Sequence, residues 1–211
     1  MSLARKRRDY RGAPLLESRV PADPLLLFRR WLALALERGG PEPTAMTLAT
    51  VDARGRPRAR MVLLRHVTVQ GYAFFTNHSS AKGCELAAHP DAALVLWWPD
   101  LHRQVRIEGR VRTVSDRAAD QYFASRPRGA QIGAWASPQS DVLRSRAVLD
   151  ARRARFAARF AGRPVPRPPH WGGYELRPRV IEFWQGRPDR LHDRLRYSRT
   201  SGGWRRVRLA P

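Results

Sequence analysis

Two stretches place charged and hydroxyl side chains where they could hold anions. In Arg60-Met61-Val62-Leu63-Leu64-Arg65, two guanidiniums bracket a short apolar run, so either end of one strand can reach a phosphate or carboxylate. Two arginines capping an exposed strand edge would give the same pattern. Further on, Phe75-Thr76-Asn77 is followed by Ser80-Ala81-Lys82, which sets a hydroxyl and an ammonium where a strand gives way to a helix. The first turn of a helix offers unpaired N–H groups and a positive partial charge, so this junction is a cradle for phosphate. The six histidines, His66, His78, His89, His102, His170 and His192, lie far apart, and Cys84 is the only cysteine. No metal site and no internal disulfide are expected. The chain has no Gly-x-Gly-x-x-Gly, P-loop or Gly-x-Ser-x-Gly pattern, which argues against dinucleotide-binding Rossmann, phosphate-loop and serine-hydrolase chemistry.

The elements that must position these groups are legible as patterns. Asp23 as N-cap, Pro24 in the first turn and Gly39 as stop bound a helix whose stripe is Leu25, Phe28, Trp31, Leu32 and Leu36. Thr44 to Val51 and Arg58 to Leu64 flank the turn Asp52-Ala53-Arg54-Gly55 and read as a hairpin. Gly71 to Thr76 and Ala92 to Trp98 have strand length, with a short helix from Ser79 to Ala88 between them. Arg103 to Val114 alternates, with Val105, Ile107 and Val111 on one face and Gln104, Arg106, Glu108, Arg110 and Arg112 on the other. Ser115 to Ser125 reads as a helix stopped at Arg126-Pro127, and Ser137-Pro138 is expected to open a longer one running toward Phe160. Pro164 to Pro169 is a connector. Val180 to Gln185, Leu191 to Ser198 and Trp204 to Leu209 close the chain as strands, the last two joined at Ser201-Gly202-Gly203. Strand-rich halves around a helical middle favour a mainly β, antiparallel barrel with packed helices over a doubly wound parallel sheet.

With 211 residues, 43% of them apolar, the chain can bury one substantial core. The N-terminus lacks the apolar stretch of a signal peptide, and the Leu25 to Leu36 run is broken by Arg29 and Arg30, so a cytoplasmic protein without a membrane segment is expected. A formal charge of +22 is what nucleic-acid binders show. Here the charge is nearly all arginine, with only Lys6 and Lys82 as lysines, and it is spread along the chain as genome-wide codon bias would spread it. Nucleic acid is therefore not the expected partner, whereas attraction of small anions follows directly.

The tail is more specific. Trp171-Gly172-Gly173-Tyr174, Ile181-Glu182-Phe183-Trp184-Gln185-Gly186, Arg190-Leu191-His192-Asp193-Arg194 and Arg208-Leu209-Ala210-Pro211 occur in order. This succession resembles the pyridoxamine 5'-phosphate oxidase family. Arg7-Arg8-Asp9-Tyr10, Asp23-Pro24, the Arg60 to Arg65 run, Phe74 to Asn77, Arg103 to Arg106, Tyr122-Phe123, Arg126 to Gly129 and Ala134 to Ser137 with Gln139-Ser140 fit the same pattern, from about Arg7 to Pro211.

The resemblance implies a split β-barrel that dimerises and holds flavin mononucleotide (FMN) at the subunit interface. It implies that Arg60, Lys82 and Ser140 bind the FMN phosphate, and that the backbone of Met61, Val62, Leu63, Leu64 and Arg65, with Phe75, Thr76, Gln104, Gln139, Trp184 and Arg194, lines the rest of the flavin. For the substrate it implies Arg65, Tyr122 and Arg126 around a phosphate and Arg190 and His192, the catalytic pair, against a pyridine ring. Arg7 and Tyr10 would close over it, residues 1–22 being a flexible segment and lid and 23–211 one FMN-binding domain. The implied reaction oxidises pyridoxamine or pyridoxine 5'-phosphate to pyridoxal 5'-phosphate. Hydride leaves the C4' carbon for the flavin, O2 is the final acceptor, and hydrogen peroxide forms, with ammonia from the amine. Three positions depart from the family pattern: Arg65 replaces a common lysine, Ala81 a cation and Ala130 a serine, all near phosphates. Two other readings stay open, a related FMN oxidase of secondary metabolism of the phenazine type and a flavin-binding split barrel without turnover.

Overall fold

The structure, a computed structural model, describes residues 9–10, 12–38 and 40–211. Arg7, expected in the lid, and Gly39, expected to stop the first helix, lie outside the described residues.

The first helix, α1 (Pro24–Arg38), starts where Asp23 Oδ1 accepts the N–H of Leu25 at 2.9 Å, as its capping role requires. Its buried face is Leu27, Phe28, Trp31 and Ala35, with Leu25 and Leu32 at the margin. Leu36 was expected in the stripe but points outward at 59% exposure, because the buried arc is centred on Phe28 and Trp31, whose rings pack against Tyr72 and Phe183.

The hairpin β1 (Ala45–Val51) and β2 (Pro57–Leu63) forms as read, with Leu48 opposite Arg60. After it come β3 (His66–Val67), β4 (Tyr72–Asn77), α2 (Ala81–Ala88), β5 (Asp91–Trp98) and β6 (Arg103–Thr113). The alternation in β6 is real: Val105 and Ile107 are fully buried and Val111 nearly so. A register shift after Glu108 puts Gly109 against Pro178, where an added Cβ would lie 2.0 Å from the Arg177 carbonyl oxygen, so only glycine fits.

Three helices follow: α3 (Asp116–Ser125), α4 (Arg128–Ala136) and α5 (Arg146–Arg159). This corrects the single long helix expected from Ser137 onward. Helix α4 begins directly after Pro127, and residues 137–145 are not helical. Pro127 precedes the first helical residue, a site where its missing N–H costs nothing, so the dipeptide that stops α3 also opens α4.

The last strands are β7 (Trp171–Gln185), β8 (Asp193–Thr200) and β9 (Gly203–Leu209). β7 is much longer than the stretch read from Val180. All pairings are antiparallel, in the order β2-β1-β5-β6-β7-β4-β3, with β8 also on β7 and β9 on β8. One edge of β7 runs along β6; the other is divided, residues 171–176 pairing with β4 and residues 180–185 with β8. Pro178 falls in the gap between those two partners and at the register shift against β6, the kind of irregularity where a sheet accommodates a residue without an N–H. This division makes a curled sheet with the main core, from Phe28 through Tyr72 to Tyr197, inside it. A smaller apolar cluster of Phe123, Ile132, Phe160, Val165 and Trp171 ties α3, α4 and the end of α5 to the start of β7.

Candidate active site

A cleft of about 580 Å³ opens where β2, β4, α2, α3 and α4 meet. Of the residues expected at the flavin or substrate, Met61, Val62, Leu63, Arg65, Phe75, Thr76, Lys82, Tyr122, Arg126 and Gln139 line it. Arg65, Lys82 and Arg126 bring three cations to this space, and none is in an ion pair among the described residues. Uncompensated positive charge in a cleft lined by apolar side chains is a site for an anion.

Lys82 is held deep in the first turn of α2. Its Nζ donates to Thr76 Oγ1 at 3.2 Å and to Ser80 Oγ at 3.3 Å, both neutral hydroxyls. Burial, and then the charge of Arg60, pull its pKa below the usual lysine value against the opposing pull of Glu85. Thr76 Oγ1 donates in turn to Gln139 Oε1 at 3.2 Å. Ser140 Oγ accepts the N–H of Ala81 at 3.1 Å, which brings the loop after α4 onto the start of α2. Its backbone is left-handed, φ 82°, a conformation that a serine holds only under constraint from its surroundings.

Arg126 sits at the end of α3 with its guanidinium 4.6 Å from the centroid of the Trp171 ring. Its Nη1 is buried and has no hydrogen-bond partner. Leaving a buried charged donor unpaired is costly, so this atom is available to an oxygen of a ligand in the cleft. Behind it, Tyr122 stacks on Phe75 at 4.0 Å, and Phe75 lies nearly parallel to Trp171 at 5.7 Å.

Arg60 and Leu64 are placed differently. The side chain of Leu64 is part of the core, 4% exposed, so only its backbone, as expected, is left to face a ligand. Arg60 Nη2 donates to Glu85 Oε2 at 2.5 Å, its Nη1 to Thr50 Oγ1, and Thr50 Oγ1 donates to the same carboxylate oxygen at 2.5 Å. The guanidinium expected at the flavin phosphate is thus tied into an internal ion pair under α2, near Lys82 without lining the cleft.

The remaining expected residues gather elsewhere. Trp97, Gln104, Trp184 and Arg194 are direct cross-strand neighbours on β5, β6, β7 and β8 and share one face of the sheet. The ring of Tyr10 packs edge-on against His102 at 4.8 Å and against Trp184 and His192 at 5.6 Å, and Trp184 lies 4.6 Å from His192. His192 Nδ1 accepts the N–H of Arg187 at 3.1 Å, so the neutral ring carries its proton on Nε2. Burial, followed by the nearby charge of Arg190, lowers its pKa and favours that neutral form. Arg190 and Asp189 both have left-handed backbones, φ 62° and 54°, which sets the tight loop that carries Arg190.

These are two separate clusters. The cleft is built around Trp171 at the start of β7, and the second cluster around Trp184 near its end. The two tryptophans are thirteen positions apart on the strand, about 40 Å along the chain at roughly 3.3 Å per residue. No residue of the second cluster lines the cleft.

Sequence reasoning did not pick out Trp171, Glu85, Thr50 or His102. Trp171 and Glu182 stood in quoted motifs without a role. The Glu85–Arg60 and Tyr10–His102 contacts join residues 25 and 92 positions apart, for which periodicity carries no signal.

Residues 35–159 match the model of the family described as pyridoxamine 5'-phosphate oxidase. The chain belongs to that family. Residues 171–211 match a second model, described as the pyridoxine 5'-phosphate oxidase C-terminal dimerisation region, and these are β7 to β9. A pyridoxine/pyridoxamine 5'-phosphate oxidase of Thermosynechococcus vestitus is 58% identical over 209 residues and 99% of both chains. One of Microcystis aeruginosa is 54% identical over 212 residues, 100% of this chain and 99% of the other. Among solved structures, PhzG of Burkholderia lata, in complex with tetrahydrophenazine-1-carboxylic acid, superimposes with a TM-score of 0.89 at 34% identity, covering 95% of this chain and 99% of that one. A pyridoxamine 5'-phosphate oxidase-related, FMN-binding protein of Nostoc punctiforme shares the fold, with a TM-score of 0.71 at 20% identity over 87% of this chain and 97% of that one. The split-barrel architecture expected for the family is the one observed.

The cleft fits FMN. A buried ammonium among hydroxyls at the start of a helix suits its phosphate. No helix among the described residues is long and apolar enough to cross a membrane.

Proposed function

We propose that this protein is an FMN-dependent oxidase that converts pyridoxamine or pyridoxine 5'-phosphate to pyridoxal 5'-phosphate, working as a homodimer whose two sites lie between subunits. The observation that carries this reading is the separation of the two half-sites on β7: each is incomplete, and a two-fold partner can set the tail of one chain over the cleft of the other. The match of β7 to β9 to a dimerisation region supports it.

In this reading Lys82, Thr76, Gln139, Ser140 and the first turn of α2 hold the FMN phosphate, while Met61 to Leu63 and Phe75 lie along the flavin. Gln104, from β6, and Trp184 and Arg194, from the tail, come from the partner chain. Arg126, Arg65 and Tyr122 bind the phosphate of the substrate, and Arg126 Nη1 gains the acceptor it lacks. Arg190 and His192 lie against the pyridine ring, His192 donating from Nε2. When bound, FMN would supply the hydride acceptor for the substrate's C4' carbon, with O2 as the final acceptor and hydrogen peroxide as the product. The protein's task is to hold that carbon about 3–3.5 Å from the flavin and keep water out. With the amine, water then hydrolyses the resulting imine to aldehyde and ammonia. Tyr10, packed over Trp184 and His192, together with Arg7 closes the site.

The test is the visible spectrum of the purified protein. Flavin bands that bleach without air on adding pyridoxine 5'-phosphate, with pyridoxal 5'-phosphate as product, are the expected result. Bound flavin that the substrate does not reduce would exclude the reading. A phenazine-type oxidase is the second reading, favoured by the 34% identity to PhzG. Turnover of a reduced tricyclic carboxylic acid in preference to the phosphate esters would select it.

A further inference from the structure

The row of cross-strand neighbours next to Gln104–Trp184–Arg194 is Arg106–Glu182–Arg196, on the same face of β6, β7 and β8. Glu182 is the only acid in that row and is almost fully buried, at 3% exposure. Its Oε1 accepts Arg194 Nε at 2.8 Å. Its Oε2 is buried 3.5 Å from Arg106 Nη2, without a hydrogen bond, while Arg106 Nη2 donates to Glu108 at 3.0 Å. Arg196 Nε, also buried, has no partner. One carboxylate therefore sits among three arginines, yet makes its hydrogen bond only to Arg194.

That choice fixes a geometry. A guanidinium is a rigid fork, so an acceptor on Nε sets the plane of the whole group. The main-chain oxygen of Ala210 takes Nη1 at 2.9 Å, which leaves Nη2 as the one amino group without a hydrogen bond among the described residues. Holding a long cation this way removes most of its rotamer freedom before binding, which is where pre-organisation gains affinity. We propose that Glu182 is a positioning residue for the flavin: it acts through Arg194, locking that side chain so that Nη2 meets the flavin supplied by the partner's cleft. The proposal rests on the FMN reading of the site.

The test is a double-mutant cycle on FMN affinity, read by quenching of flavin fluorescence on titrating the apoprotein and by the circular dichroism of bound flavin. Arg194→Gln is expected to weaken FMN roughly tenfold or more, and Glu182→Gln by a smaller factor, with both altering the dichroism. The decisive expectation is that the double variant binds FMN no more weakly than Arg194→Gln alone. Independent, multiplying losses, or a Glu182→Gln protein of lower melting temperature but unchanged FMN affinity, would overturn the proposal and leave the flavin reading intact. Unchanged affinity in Arg194→Gln would instead remove the assignment of Arg194 to the flavin. Should Glu182→Gln not fold, the same cycle is run with Glu182→Asp, which keeps the charge but shortens the reach to Arg194.

Discussion

Trp171 and Trp184 stand near opposite ends of one strand, β7, and each anchors one of two clusters of expected site residues: Trp171 lies under the Arg126 guanidinium, and Trp184 lies against the His192 ring. Two chains that each lack one half should therefore repair one another. Assayed with substrate well below KM, Arg126→Leu and His192→Asn proteins are each expected to be nearly inactive. Unfolded and refolded together in equal amounts, they should recover roughly a quarter of wild-type activity, since half of the dimers are mixed and each mixed dimer holds one intact site. Recovery no greater than the sum of the separate variants would show that both halves serve the same chain.

Arg126 is expected to act on substrate binding. Replacing it with leucine removes a charge-assisted contact worth about 1.5–3 kcal/mol, so KM for the phosphate ester should rise roughly ten- to a hundredfold while FMN stays bound. Loss of FMN in step with KM would place Arg126 at the cofactor phosphate.

Arg60 and Lys82 should separate in the opposite sense. Arg60→Met leaves Glu85 buried and unpaired, at a cost of about 2–4 kcal/mol after allowing for the partial exposure of the pair, or roughly 5–15 °C in the melting temperature of the apoprotein. Lys82→Met removes a buried cation bonded only to hydroxyls, and should weaken FMN without a comparable fall in melting temperature. Differential scanning calorimetry of both apoproteins with a flavin titration checks the pair. An unaltered melting temperature for Arg60→Met would mean the ion pair contributes nothing to folding.

His192 should impose an acid limb on kcat/KM. Its pKa is depressed, so the folded protein binds this proton less readily than the unfolded chain. Stability and the Arg187 N–H to Nδ1 bond are therefore retained above the ordinary histidine value of 6.5 and lost progressively as pH falls below it. The limb should fall below pH 6.5 and vanish in His192→Gln, whatever activity that variant keeps. A limb unchanged in the variant would assign it to another group.

The sequence alone determined the local elements and the residue types of the site. Asp23 and Pro24 start α1, period-two alternation marks β6, and the gathering of Arg65, Thr76, Lys82, Tyr122 and Arg126 was legible because caps, periodicity and motif spacing are local or shared with relatives. Only the tertiary structure decided which residues meet. That Arg60 pairs with Glu85, that Glu182 holds Arg194, and that the expected site residues gather toward the two ends of β7 all depend on pairing across the sheet and under α2. A charged side chain near the interior takes whichever opposite charge the folded backbone brings within reach, and no spacing along the chain specifies that partner.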